Sequence, residues 1–327
     1  MLFTQEIVEC SPEKLAARQA VNLHLEKATN TQTHWTDAPN IEEYRRWRRE
    51  GLNGFTKKYE HPRATTIEIP SAHGPHLIPL RIIPPSGEAR GLFLHFHGGG
   101  FVLGSAASQD DMLGTIADEL SLVVASVEYR LAPEHPFPAA THDCLDAALF
   151  ALSDEGAAKL GGTLRVMGGD SAGGYLTMYT AIQLRNQGIP VREKIVALVS
   201  SYGVFDLSMT PSLRSHKRRI LLGFDDAAGL LEHYVQTEKA PEDRRDPCLS
   251  PLYDDLSNLP PTLFLVGTAD LLVDDSTFMA SRYALAGNET ELKIIPEACH
   301  GFTLVPDIEV SVEGNRLILE YIRARLD

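Results

Sequence analysis

The stretch from Leu164 to Tyr175, LRVMGGDSAGGY, constrains this chain more than any other. An apolar run ends in two glycines, an acid and a serine, and a second glycine pair opens a helix-forming segment. Gly169-Asp170-Ser171-Ala172-Gly173 fits G-x-S-x-G in the setting a nucleophile elbow needs, a strand before it and a helix after it. A serine at the tip of so sharp a turn takes strained backbone angles. Residues without a Cβ two positions either side let strand and helix pass closely. The following helix would aim its N-terminal N–H groups and positive dipole end at the serine, where an oxyanion would form. A glycine-rich βα turn without chemistry reads the same over five residues, so the rest of the chain has to decide.

Along the chain, TTIEIP and LIPLRIIPP flank a Ser71–Pro75 turn and read as a hairpin. Further strands are expected at Gly91–Phe96, Leu122–Val127, Leu164–Met167, Lys194–Ser200, Thr262–Val266 and Leu292–Ile295. Helices are expected over 108–120, up to about Leu152, and at Ala172–Gln187, Ser276–Ala286 and Ile308–Arg325. Alternating strands and helices with near-continuous apolar strands predict a mostly parallel α/β sheet with helices on both faces. Two segments break the alternation. Residues 1–60 look helical and charged, with a Ser11-Pro12 helix start and Ile41, Tyr44 and Trp47 on one face. Residues 205–250, carrying Lys217-Arg218-Arg219 and a helix-like run near Ile220–Leu231, are too long for a βα connection. Both are expected to meet as a helical cap over a core of residues 61–204 and 251–327.

Composition excludes several classes. With 30 basic against 44 acidic side chains the net charge is −14, which argues against nucleic acid or an anionic membrane surface as partner. Cys10, Cys144, Cys248 and Cys299 are widely spaced with no C-x-x-C, so neither a disulfide framework nor a metal site is expected and a cytoplasmic setting follows. The N-terminus reads as no signal peptide, and no run approaches the roughly 18 apolar residues of a membrane span.

A serine nucleophile needs a base, and the base an orienting acid. Of twelve histidines only His216, His233 and His300 follow Ser171. The first two lie in the 205–250 segment; His300 directly follows the last expected strand, where a loop reaches the sheet's C-terminal edge. Asp270 stands at the end of the preceding strand, completing the order Ser, acid, His. Asp274 and Asp275 compete, but at a helix start, where acids commonly stabilise the dipole. Asp170 reads as a local hydrogen-bonding residue. Oxyanion donors are expected from the N–H of Ala172 and from Gly98 and Gly99 in His97-Gly98-Gly99-Gly100, each worth about 3–4 kcal/mol in a transition state. Phe101, Tyr202, Phe205, Leu222, Phe224 and Phe302 flank these loops or lie in the insertion and are candidate pocket walls. No strongly basic cluster adjoins the motifs in sequence, so an anionic substrate is not favoured, and Lys217-Arg218-Arg219 reads as a solvated face.

Taken in order, HGGGF, YRLAPE at 129–134, GDSAGG at 169–174, Asp270-x-Leu272-x-Asp274 and His300-Gly301-Phe302 resemble the hormone-sensitive-lipase-like group of α/β-hydrolase carboxylesterases. The resemblance spans about residues 90–305. It implies an α/β-hydrolase fold with an eight-stranded sheet and helical cap, and a serine carboxylesterase acting on short to medium acyl esters of small molecules through an acyl-enzyme, without a cofactor. It also implies a structural role for YRLAPE and support of the oxyanion loop by His97. A homodimer is plausible by the same resemblance. An acyltransferase, a lyase using the same pocket and a catalytically silent receptor are the alternatives.

Overall fold

The computed structural model describes residues 3–236 and 241–327. In chain order the elements are β1 (Phe3–Ile7), α1 (Pro12–Thr31), α2 (Ile41–Glu50), β2 (Thr65–Pro70), β3 (Leu77–Ile83), β4 (Leu92–Phe96), α3 (Asp110–Leu120), β5 (Val123–Val127), α4 (Ala139–Leu152) and α5 (Asp154–Leu160). They continue with β6 (Leu164–Asp170), α6 (Ala172–Asn186), α7 (Val191–Lys194), β7 (Ala197–Ser201), α8 (Pro211–Ser215), α9 (Phe224–Val235), β8 (Thr262–Gly267), α10 (Val273–Leu285), β9 (Thr290–Ile295) and α11 (Glu309–Leu326). One sheet holds every strand in the order β1-β9-β8-β7-β6-β4-β5-β3-β2. Only β3 runs against its neighbours, antiparallel to β2 and β5; the other pairs are parallel. Strands β4, β5, β7 and β8 are buried along their whole length, as expected where helices cover both faces.

The sheet has nine strands, one more than the eight expected. The addition is β1, inside a segment expected to be helical, and it pairs with β9 from Phe3↔Thr290 to Ile7↔Ile294. Four of its five residues are exposed, so it is held through the backbone ladder and an ion pair from Lys293 to Glu6. A strand bound that way carries no apolar alternation to read. In the insertion, the helix expected from Ile220 starts only at Phe224, after an Ile220–Leu222 bridge and Gly223.

The 1–60 and 205–250 segments, apart from 1–2 and 237–240 outside the described residues, touch each other. Arg218 pairs with Glu26 (2.9 Å), Arg219 donates to the Thr29 carbonyl (3.1 Å), and His34 lies 2.6 Å from Asp226. Helix α1 is also pinned to the core. Arg18, 3% exposed, reaches Glu309 (2.9 Å) and Glu313 (2.5 Å) on α11 and donates to the Pro296 carbonyl (3.0 Å).

The crossing of β6 and α6 against β4 leaves no room for side chains at the turn. A Cβ on Gly173 would stand 1.9 Å from the Phe96 carbonyl oxygen, backbone against backbone. Gly173→Ala must therefore push β4 and α6 apart. The expected result is a loss of about 3 kcal/mol, the upper end for overpacking, read as a lowered urea midpoint. An unchanged midpoint would mean the crossing is looser than these contacts imply.

Candidate active site

Ser171 sits at the β6–α6 turn with φ 55° and ψ −116°, a strained conformation for a residue with a Cβ. The turn is fixed on both sides: the Ser171 N–H donates to the Ser201 carbonyl (2.9 Å), and the Tyr175 N–H to the Ser171 carbonyl (3.2 Å). The hydroxyl so presented lies 2.9 Å from His300 Nε2. His300 Nδ1 lies 3.0 and 3.1 Å from the two carboxylate oxygens of Asp270, and both residues are buried. The Asp270 carboxylate is itself oriented by the Leu272 N–H (2.7 Å).

The competing acids are occupied elsewhere. Asp274 accepts the Ser212 N–H (2.7 Å). Asp275 accepts the N–H groups of Phe205 (2.7 Å) and Asp206 (2.9 Å) and the Thr210 hydroxyl (2.6 Å), anchoring the start of the insertion; burial pushes its carboxyl up to about 7 despite those donors. His233 packs 5.5 Å from Trp35. Asp170 accepts from Gln109 Nε2 (2.5 Å) with His95 Nε2 at 3.8 Å, the local role expected of it.

The loop after β4 supplies Gly98 and Gly99, and Gly99 has φ 121°, open to glycine alone. Among the described residues the N–H groups of Gly98, Gly99 and Ala172 donate to no protein acceptor. Gly98 and Ala172 are buried and Gly99 half-buried; buried backbone donors are nearly always paired, so these unpaired ones are suited to an incoming oxygen. Beneath them His97 is fully buried, donates from Nδ1 to the Gly98 carbonyl (2.8 Å) and stacks on Tyr129 at 4.1 Å. The Tyr129 hydroxyl donates to the His97 carbonyl (2.7 Å).

Burial pushes the His97 imidazole down to about 4 from an ordinary 6.5. As pH falls, the unfolded chain takes up this proton first, so stability is lost from about pH 6.5 downward. The expected contribution is about 2 kcal/mol between pH 7 and pH 5. Urea midpoints of wild type and His97→Asn at the two pH values test it: the variant should lose less on acidification. Equal losses would mean that the imidazole is protonated in the fold.

A cavity of about 1170 Å³ takes in Ser171, His300, Gly98 and Gly99. Of the six expected wall residues, Phe101, Tyr202 and Leu222 line it. Tyr202 lies 5.0 Å from the His300 ring. Phe205, Phe224 and Phe302 are not in the wall. Phe205 and Phe302 are fully buried in the core, packing at 5.9 Å on Phe264 and at 5.6 Å on Tyr202. Phe224 is partly buried against the core at the start of α9. The sequence reading missed the support of the histidine loop. Besides the Arg18 contact to Pro296, Asn22 Nδ2 donates to the Glu297 carbonyl (2.8 Å). A polar pair four residues apart on a charged helix is the only local signal of that contact.

Among the described residues no His, Cys, Asp or Glu group could hold a metal ion, and no helix is long and apolar enough to cross a membrane. Residues 93–304 match the model of the alpha/beta hydrolase fold family. The chain is 33% identical over 258 residues, 77% of its length and 80% of the relative's, to an ethyl acetate hydrolase of Pseudomonas putida. It is 32% identical over 81% of its length, and 71% of the relative's, to the carboxylic ester hydrolase LipN of Mycobacterium tuberculosis. A hyperthermophilic esterase from Pyrobaculum calidifontis superposes with a TM-score of 0.79 at 30% identity, over 97% of this chain and 99% of that one. A hormone-sensitive lipase from a metagenome library gives 0.78 at 28%, over 95% and 98%. The chain belongs to the alpha/beta hydrolase fold family and, within it, to the hormone-sensitive-lipase-like group of carboxylesterases.

Proposed function

We propose that this chain is a serine carboxylesterase that hydrolyses short to medium acyl esters of small molecules, with Ser171 as nucleophile, His300 as base and Asp270 as its orienting acid. The observation that carries this is the unbroken run from Ser171 Oγ to His300 Nε2 (2.9 Å) and from Nδ1 to Asp270 (3.0 Å) on a strained elbow. His300 takes the hydroxyl proton as Oγ attacks the ester carbonyl. The N–H groups of Gly98, Gly99 and Ala172 receive the oxyanion. His300 then protonates the departing alcohol, leaving an acyl-serine. Water repeats the sequence, its proton passing to His300 and back to Ser171 as the acid leaves.

The two extra segments serve in this reading as a cap over the remainder, with residues 3–7 belonging to the sheet instead. Leu25 and Tyr44 from one and Leu222 and Leu230 from the other face the cavity. Leu230 packs directly on Gly100 of the oxyanion loop, where an added Cβ would meet it at 2.7 Å. A cytoplasmic setting fits the buried thiols of Cys144 and Cys299, which form no disulfide. The homodimer enters on the family resemblance alone.

Hydrolysis of p-nitrophenyl esters of increasing acyl length tests the function. Activity is expected on acetate to hexanoate, falling on longer chains as the acyl group outgrows the pocket. The ethyl acetate hydrolase among the relatives supports the short end of that range. A folded protein inactive on every ester would end the esterase reading.

A further inference from the structure

The cleft that holds Ser171 extends along α2 and the loop after it, where Tyr44, Arg45, Arg48, Phe55 and Lys58 form its wall. In a chain of net charge −14, cations on such a wall should find acids easily. Most do. Arg45 pairs with Glu134 (2.9 Å) and donates to the Val102 and Ala132 carbonyls. Arg49 lies 3.9 Å from Glu42 and Glu50, and Lys57 lies 4.0 Å from Glu60.

Arg48 and Lys58 are the exceptions: among the described residues neither forms an ion pair. Arg48 is exposed and has its guanidinium 6.0 Å from the centre of the Phe55 ring. Lys58, though exposed, titrates below the usual lysine range, first through partial desolvation in the cleft and then through the charge on Arg48. Of the acids that line the cleft, Glu42 and Glu60 are in the pairs above, Asp110 is held by Arg81 and Glu128 by the Ala106 N–H (2.8 Å), while Asp111 and Asp307 form no ion pair with Arg48 or Lys58 among the described residues. Two neighbouring cations without an acid repel each other. A carboxylate beside them would remove the repulsion and could accept two parallel guanidinium N–H groups.

We propose that Arg48 and Lys58 form an anion-recognising subsite of this cleft, so that the ester taken up carries a carboxylate group away from its scissile carbonyl. The inference rests on the esterase reading for its chemistry. It reverses the expectation drawn from sequence neighbours, because α2 and the loop after it lie far from the motifs in sequence and reach the cleft only through the fold. Two substrate designs fit: a half-ester of a dicarboxylic acid, with the anion on the acyl side, and an acylated hydroxy acid, with the anion on the alcohol side.

The test compares kcat/KM for mono-p-nitrophenyl esters of the dicarboxylic acids from succinate to sebacate with the matching uncharged methyl diesters. It makes the same comparison for acetylated 4-hydroxybutyrate against butyl acetate. In at least one series the anionic ester should be preferred, and Arg48→Gln or Lys58→Gln should lower the anionic-to-neutral ratio about tenfold, the worth of one charge-assisted hydrogen bond. Added salt should lower the ratio too. Calorimetric binding of the same ester pairs to Ser171→Ala reads the subsite without turnover. Equal binding of charged and uncharged esters there, or a ratio that neither substitution moves, overturns the proposal. Loss of all hydrolysis with the binding preference intact would sink the esterase reading and leave the anion subsite standing.

Discussion

Replacing Ser171 with alanine is expected to lower kcat on p-nitrophenyl butyrate by about a hundred-thousandfold while leaving KM near wild type. The alcohol oxygen is the only atom removed, and the cavity walls that hold the acyl group stay in place. The residual rate is the part that oxyanion donors and binding provide without a nucleophile. His300→Ala should cost about as much, and the double variant hardly more than either single one, because the two side chains act as one unit. The fold should survive both changes. Alanine at φ 55° is no more strained than serine there, and the turn is held by backbone hydrogen bonds through Ser201 and Tyr175. A Ser171→Ala protein that keeps more than a tenth of its kcat, or two single variants whose losses multiply in the double, would remove Ser171 from the role of nucleophile.

The residues at the heart of this test are the ones most easily read from the chain, and the reason is geometric. Ser171, Asp270 and His300 each stand just beyond a strand of a parallel sheet, so strand ends and chain order bring them to one edge. The glycines beside them mark places where backbones approach too closely for a Cβ, which is a local property. Features that depend on distant partners leave no such mark. Strand β1 is held by its backbone to β9 at the other end of the chain, and its exposed side chains show no alternation. Arg18 looks like any helical surface residue until α11 and the histidine loop close over it. The aromatic candidates divided for the same reason. Phe101 and Tyr202 reach the cavity, and Phe205 and Phe302 pack inward, because side-chain direction at a loop is set by the neighbours it meets. The charge of Arg48, without an ion pair among the described residues, belongs here too, since that shows only when every nearby acid is placed.

Asp270→Asn should lower kcat about ten-thousandfold with little change in stability, an effect that proximity of a negative charge alone would not produce. Asparagine fills the same space, and its side-chain carbonyl can still accept the Leu272 N–H now bound at 2.7 Å. That puts the amide nitrogen, a donor, in the place of Oδ2, 3.1 Å from His300 Nδ1, beside the carbonyl oxygen at 3.0 Å. An imidazole that accepts from this amide at Nδ1 carries its proton on Nε2, facing Ser171 Oγ at 2.9 Å. A base already protonated toward the serine cannot take the serine's proton, so the tautomer is wrong although every distance is kept. Asp274→Asn, seven residues past the end of β8 and bound to the Ser212 N–H, should leave kcat near wild type. The pair of variants separates orientation from general acidity of the region. Urea midpoints confirm that both proteins are folded, and kcat across a pH series reads the base directly. If Asp270→Asn keeps most of its rate while Asp274→Asn loses it, the orienting acid is Asp274, and the contact between Asp270 and His300 is structural.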